Sequence, residues 1–178
     1  MSGLRRLGHV IRESTSTEAT VTRLRHDDFA AFYRMHRPEV VRALTATIGD
    51  ADLAAEATDE AFARAYAHWR KVSSVDNQPG WVYRVALNWS LDHLRRRKRG
   101  RLRAAAIAQP AANDPEPMPE VVAALERLSP DHRSVVVLRV WLDWSEAEVA
   151  AALNIPKGTV KSRLARALGQ MKEVLGDA

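Results

Sequence analysis

Apolar residues recur at helical spacing through most of the chain, and the fold class this predicts is all-α. The most apolar stretch is Pro79–Arg103. At 100° per residue, Trp81, Val82, Val85, Ala86 and Trp89 share one wide face, and Tyr83, Leu87, Leu91 and Leu94 form a second arc. The narrow stripe left between them holds Arg84, Asn88, Asp92 and Arg95, with Trp81 at its upper edge. Pro79 has the φ of a first helical turn, so the helix is expected to begin there. A helix this apolar should be largely buried, which leaves the stripe as a solvent window or a working face.

The rest of the chain arranges itself around that helix. Residues 1–26 keep no period and read as a mobile extension, with a short helix around Leu4–Ile11 as one possibility. From Asp27 the residues Phe29, Phe32, Tyr33, Val40, Val41, Leu44 and Ile48 form a core face, and Pro38 marks a kink or a break. Gly49 closes that helix and Asp50 caps the next, expected over Ala51–Trp69. Its inner face holds Leu53, Ala57, Ala61 and Ala65 beside Phe62, Tyr66 and Trp69; its outer face holds Asp52, Glu56, Asp59 and Glu60. The outer face reads either as solvated or as a docking surface for a basic partner. Lys71–Gly80 reads as a polar loop.

After a run of arginines, four prolines fall between Gln109 and Glu120, which predicts an extended linker. The expected organisation is two small helical domains joined by a Pro-rich linker: extension 1–26, first domain 27–99, linker 100–119 and second domain 120–174. In the second, Val121, Val122, Leu125 and Leu128 open a helix, and Ser129-Pro130 caps another that carries Val135, Val136, Leu138, Val140, Trp141 and Leu142. Trp141 and Trp144 are expected in the core and at a helix corner. Ser145 to Glu148 is a capping box that starts a short helix to Leu153. Asn154-Ile155-Pro156 breaks it, and Lys157–Val174 forms the last helix with Val160, Leu164, Leu168 and Met171 inward. A short helix, a tight turn and a longer helix predict a helix-turn-helix.

Charge sharpens this picture. The net charge is +5 and the isoelectric point about 10.0, which favours a polyanionic partner. The excess is about +3 over 1–26 and +5 over 95–119, against −3 over 27–94 and zero over 120–178. Within the last helix, Lys157, Lys161, Arg163, Arg166 and Lys172 have no acid among them, the footprint of a helix entering the major groove. The absence of cysteine excludes disulfides and thiolate metal sites and fits a cytoplasmic protein. Six histidines never fall at metal-ligand spacing, and neither a Gly-rich phosphate loop nor a nucleophile elbow occurs. The expectation is therefore no catalysis, no cofactor and no metal. Nor is membrane insertion expected, because no apolar run approaches the roughly 18 residues of a spanning helix.

Ile155-Pro156-Lys157-Gly158-Thr159-Val160-Lys161-Ser162-Arg163-Leu164, with Arg166-Ala167, resembles region four of the extracytoplasmic-function sigma factors. Trp81 to Ala86, with Asn88, Asp92 and Arg95, resembles the same family's region two, which recognises and melts the promoter's −10 element. Gly49-Asp50, Ala54, Glu56, Glu60 and Phe62 resemble its polymerase-docking helix, with departures at Ala55, Ala57 and Asp59. The resemblance covers roughly 27–99 and 120–173. It implies an alternative sigma factor whose partners are core RNA polymerase, promoter DNA and an anti-sigma factor. It also implies −35 contacts at Lys157, Thr159, Lys161, Ser162, Arg163 and Arg166. Contacts for −10 recognition and melting fall at Asp76, Asn77, Trp81, Arg84, Asn88, Arg95 and Arg96, and polymerase docking at Asp52, Glu56, Asp59 and Glu60. Two other readings stay open: a stand-alone helix-turn-helix regulator that works without polymerase, and an adaptor whose basic arm binds an acidic protein.

Overall fold

The computed structural model describes residues 27–101 and 119–176, and every regular element among them is helical. The expected N-terminal extension and linker residues 102–118 lie outside the described residues. The chain divides into two compact units, Met1–His36 and Arg37–Ala178. In the first, the Phe29 ring lies 6.4 Å from both Phe32 and Tyr33, and Phe32 lies 4.9 Å from His36.

Helix α1 covers 27–48 and continues through Pro38 without a break. It ends at Gly49, whose φ of +74° lies in the left-handed region and whose N–H donates to the Thr45 carbonyl at 2.8 Å. Asp50 then caps α2 (Ala51–Ala67), its Oδ1 accepting from the Leu53 N–H at 2.9 Å. This helix stops at His68, short of the expected Trp69, and Trp69–Val72 forms a separate turn, α3; Tyr66, expected on the inner face, is exposed in the last turn of α2. Ala54, Ala57, Ala61 and Ala65 are all fully buried, so α2 can lie close along α4 (Gln78–Arg101) without steric cost. From α4 the chain contributes Val82, Tyr83, Ala86 and Leu87 to this core. Tyr83 is fully buried yet satisfied: its hydroxyl lies 2.7 Å from Thr47 Oγ1. Since Thr47 Oγ1 already donates its single proton to the Ala43 carbonyl at 2.8 Å, Tyr83 is the donor.

The C-terminal helices are α5 (Pro119–Glu126), α6 (Pro130–Val136), α7 (Glu146–Leu153) and α8 (Lys157–Gly176). Ala124, Leu128, Val136, Ala167 and Met171 form their buried core, flanked by Val121, Leu125, Leu164 and Val174. Leu168, expected inward, is 44 % exposed, and Ala167 takes its place. At 100° per residue Leu168 falls about 80° from Val160, at the edge of the buried stripe, whereas Ala167 and Met171 fall about 20° from it. Trp141 is likewise corrected: it is 54 % exposed. The reason is a widened π-helical turn, Val137–Trp141, in which the Leu142 N–H donates to the Val137 carbonyl at 3.0 Å. The extra residue rotates Val140 and Trp141 off the buried face. Asn154, at φ 55°, closes α7, and the Pro156 carbonyl accepts the first N–H groups of α8 from Thr159 and Val160. This is the tight turn of a helix-turn-helix.

Candidate nucleic-acid interface

The helix that carries the polar stripe starts one residue before Pro79. Asn77 is its cap: Oδ1 accepts from the Gly80 N–H at 2.7 Å. Beyond this cap, Trp81 and Arg84 are half-buried and Asn88 is exposed. Val75, Asp76, Asn77, Trp81 and Arg84 form one wall of a cleft of about 360 Å³, and Ala147, Glu148, Ala151 and Ala152 of α7 form the other. Across it Arg84 Nη1 donates to the Ala151 carbonyl at 3.4 Å. Further along α4, Asp92 is taken up locally. Arg95 Nη1 donates to its Oδ1 at 2.7 Å and Arg96 Nε to its backbone carbonyl at 3.3 Å. Arg97 reaches the capping Asp50 at 3.4 Å, tying the basic end of α4 to the start of α2.

On α8, Lys157, Lys161, Ser162 and Arg166 are exposed, and Thr159 and Arg163 are half-buried. Among the described residues, the side chains of three of these six make polar contacts with other groups of the chain. Arg163 Nη2 donates to Asp131 Oδ2 at 2.7 Å, Lys161 Nζ lies 3.6 Å from Glu146 Oε2, and Ser162 Oγ donates to the Thr159 carbonyl at 3.2 Å. The acidic face of α2 is also partly neutralised. Asp59 receives both Nε and Nη2 of Arg37, at 2.7 and 2.8 Å, and Glu60 receives Arg64 Nε at 2.8 Å. Asp52 and Glu56 are exposed.

The sequence reading overlooked Arg133. This side chain of α6 is 8 % exposed and donates to three backbone carbonyls: Thr47 at 3.1 Å, Glu126 at 2.9 Å and Leu128 at 3.1 Å. Desolvation pushes its pKa down from the ordinary arginine value, and the nearby Glu126 carboxylate opposes that shift. The available signal was its place next to the apolar run Val135–Leu138, where an arginine on a short helix must find acceptors. Trp144 was expected at a helix corner, and there its ring meets Tyr83 edge-on at 6.5 Å and 75°. Among the described residues, no three His, Cys, Asp or Glu side chains could jointly hold a metal, and no helix is long and apolar enough to cross a membrane.

A cationic recognition helix behind a tight turn, and a second helix presenting an aromatic and arginine stripe, define a two-part helical DNA-binding protein. Comparison with known sequences gives the family. Residues 32–100 match the family model described as Sigma-70 region 2, and 119–171 match Sigma-70, region 4. The chain is 30 % identical over 152 residues to the RNA polymerase sigma-E factor of Streptomyces coelicolor, covering 83 % of this chain and 86 % of that one. It is 31 % identical over 155 residues to the ECF RNA polymerase sigma factor SigL of Mycobacterium tuberculosis, covering 82 % and 87 %. The sigma factor RpoE of Bartonella quintana, solved in complex with the anti-sigma factor NepR, shares the fold. Its TM-score is 0.71 at 22 % identity, over 84 % of this chain and 97 % of that one. The chain belongs to the extracytoplasmic-function group of the sigma-70 family of RNA polymerase sigma factors. Such a protein binds core RNA polymerase, and its regions 2 and 4 engage the −10 and −35 elements of promoters.

Proposed function

We propose that the residues gathered on α2, α4 and α8 divide the work of initiation among themselves. Asn88 makes paired hydrogen bonds to a base edge, Arg84, Arg95 and Arg96 hold phosphates, and Trp81 stacks on an unstacked base. The loop containing Asp76 and Asn77 receives a base flipped from the −10 element. Flipping costs a few kcal/mol, which stacking and hydrogen bonding must offset and thereby select sequence. In region 4, Lys161, Ser162, Arg163 and Arg166 read the −35 element, while Lys157 and Thr159 grip phosphate at the N-terminus of α8. Asp52, Glu56, Asp59 and Glu60 meet a basic surface of core polymerase. The protein acts in the cytoplasm, without catalytic chemistry of its own. By likeness to the complexed relative, an anti-sigma factor holds it inactive.

The observation that supports this division most is the pairing of an exposed cationic α8 with a capped, half-exposed Trp81–Arg84 end on α4, in the family's chain order. In vitro transcription with core polymerase on a genomic promoter library tests it. Run-off products should depend on both modules, and alanine at Asn88 or Arg163 should change which promoters respond. Sequence-specific binding of duplex DNA by the chain alone, with no gain on adding core polymerase, would instead favour the stand-alone regulator.

A further inference from the structure

Asp50 serves two helices at once. Its Oδ1 accepts the Leu53 N–H at 2.9 Å and so caps α2, while its Oδ2 accepts from Arg97 Nη1 of α4 at 3.4 Å. The start of the helix assigned to polymerase docking is thereby joined to the basic end of the helix assigned to the −10 element. Neither assignment uses these two residues. Asp50 lies two positions before Asp52, and Arg97 directly follows Arg95 and Arg96.

The direction of each arginine separates their roles. At 100° per residue Arg95 and Arg96 fall about 40° and 60° to either side of Trp81, so both flank the polar stripe. Arg97 falls about 160° from Trp81, on the side of the buried Ala86 and Ser90, and turns toward α2. Asp92 holds Arg95 through Oδ1 at 2.7 Å and Arg96 through its backbone carbonyl at 3.3 Å. Those bonds fix the two guanidinium groups relative to α4, but not the end of α4 relative to the rest of region 2. Among the described residues Ser90 is the last buried side chain of α4, about 10 Å along the helix before Arg97. Beyond Ser90, no buried side chain seats the helix there.

We propose that the Asp50–Arg97 pair is a brace. It seats the basic end of α4 on the cap of α2, so that Arg95 and Arg96 meet promoter phosphates from a fixed place relative to the docked polymerase. Asp50 and Arg97 are positioning residues, and neither touches DNA. The inference rests on the assignment of Arg95 and Arg96 to phosphate. Two features make Asp50 suited to the task. Its carboxylate is 29 % exposed, so solvent screens the pair less than it screens a fully exposed one. The cap bond to Leu53 already orders that carboxylate, so pairing with Arg97 costs Asp50 little further entropy.

Asp50→Asn isolates the brace, because asparagine caps a helix as well as aspartate does but carries no charge. Holoenzyme made from the full chain and core polymerase is mixed with a promoter carrying 2-aminopurine in its −10 element, whose fluorescence rises on opening. Asp50→Asn and Arg97→Gln should each slow opening by up to about fivefold, the equivalent of one partly exposed ion pair. The double variant should be no slower than either single, and affinity for core polymerase should be unchanged. Faster opening by Asp50→Asn overturns the brace, since Arg97 is then a phosphate contact that Asp50 withholds. A loss of core affinity large enough to account for slower opening also overturns it, by placing the effect in the α2 cap. The salt dependence of opening tests Arg97→Gln alone, and it carries the test if circular dichroism shows Asp50→Asn unfolded. A brace leaves the slope close to wild type, whereas loss of a phosphate contact lowers it by about one. Arg95→Ala/Arg96→Ala checks the assignment beneath. If that variant opens promoters normally, the phosphate assignment falls and the brace with it. Slow opening there with normal opening in Asp50→Asn overturns the brace alone.

Discussion

Asn77 and Gly80 are matched to each other at the start of α4: the Asn77 carboxamide accepts the Gly80 N–H at 2.7 Å, and a Cβ on Gly80 would come within 2.7 Å of that same carboxamide. The cap therefore requires glycine three residues on, for close approach and not for an unusual φ. Gly80→Ala should push the carboxamide out of place and lose the cap, costing about 0.5–2 kcal/mol in urea denaturation. Asn77→Asp separates two roles of the same side chain. It keeps an acceptor for the Gly80 N–H but removes the Nδ2 donors available to a base. Stability should hold while −10-dependent transcription falls; a variant that transcribes normally would leave Asn77 a cap alone.

Buried Tyr83 makes stability depend on alkaline pH. Burial raises its phenol pKa well above the ordinary value. The folded chain thus favours the neutral phenol, while the unfolded chain ionises near pH ~10. The contribution is complete below about pH 10 and is lost progressively as pH rises beyond it toward the folded pKa. Urea midpoints measured from pH 9 upward should fall more steeply for the wild type than for Tyr83→Phe. Near neutral pH, Tyr83→Phe should cost about 1 kcal/mol, the net value of one hydrogen bond. Thr47→Val strands the buried phenol and should cost more, about 1–3 kcal/mol. Parallel alkaline slopes in wild type and Tyr83→Phe would count against this account.

How much of this was legible beforehand follows from the range of each interaction. The cap at Asp50, the capping box at Ser145 and the breaks at Gly49 and Asn154 act over three or four residues, so local sequence carried them. The break at His68 was missed because Tyr66 and Trp69 continue the apolar spacing past it. Trp141 was misplaced because periodicity assumes a constant 100° step, and one π-helical turn shifts every residue after it. The stripe of Arg84, Asn88, Asp92 and Arg95 was readable, but its partners were not: Ala151 lies 67 residues from Arg84 and Thr47 lies 86 from Arg133. No periodic pattern encodes a pairing at that distance.

The capping box at the start of α7 is reciprocal. Glu148 N–H donates to Ser145 Oγ at 3.2 Å, and Ser145 N–H donates to Glu148 Oε2 at 2.8 Å. Hydrogen bonds from the Ser145 side chain and backbone hold the Glu148 carboxyl below the usual glutamate range. Its contribution is therefore present above the unfolded pKa of about 4.3 and fades as pH falls through the lower folded value. Ser145→Ala should cost about 0.5–2 kcal/mol. The double variant Ser145→Ala/Glu148→Ala should cost less than the sum of the singles, because each removes part of one unit. Strict additivity in the double-mutant cycle would show two independent contacts.

Arg163 and Asp131 oppose each other in the DNA-reading assignment. The pair is 2.7 Å apart with Asp131 largely exposed, so it is a surface pair of about 0.2–1 kcal/mol. DNA must displace Asp131 before Arg163 can read a base. Asp131→Asn should therefore strengthen binding to a −35 duplex by polymerase holoenzyme by up to about fivefold, which is the value of that pair in affinity. Arg163→Ala should weaken it by about 1–3 kcal/mol at the cognate −35 element and flatten the preference at one base position. Lys157→Ala, as a phosphate contact, should instead weaken all sequences alike and reduce the dependence of affinity on salt. Competition binding against a panel of single-base −35 variants separates the two. If Arg163→Ala loses affinity uniformly across that panel, Arg163 grips the backbone, and base reading passes to Lys161, Ser162 and Arg166.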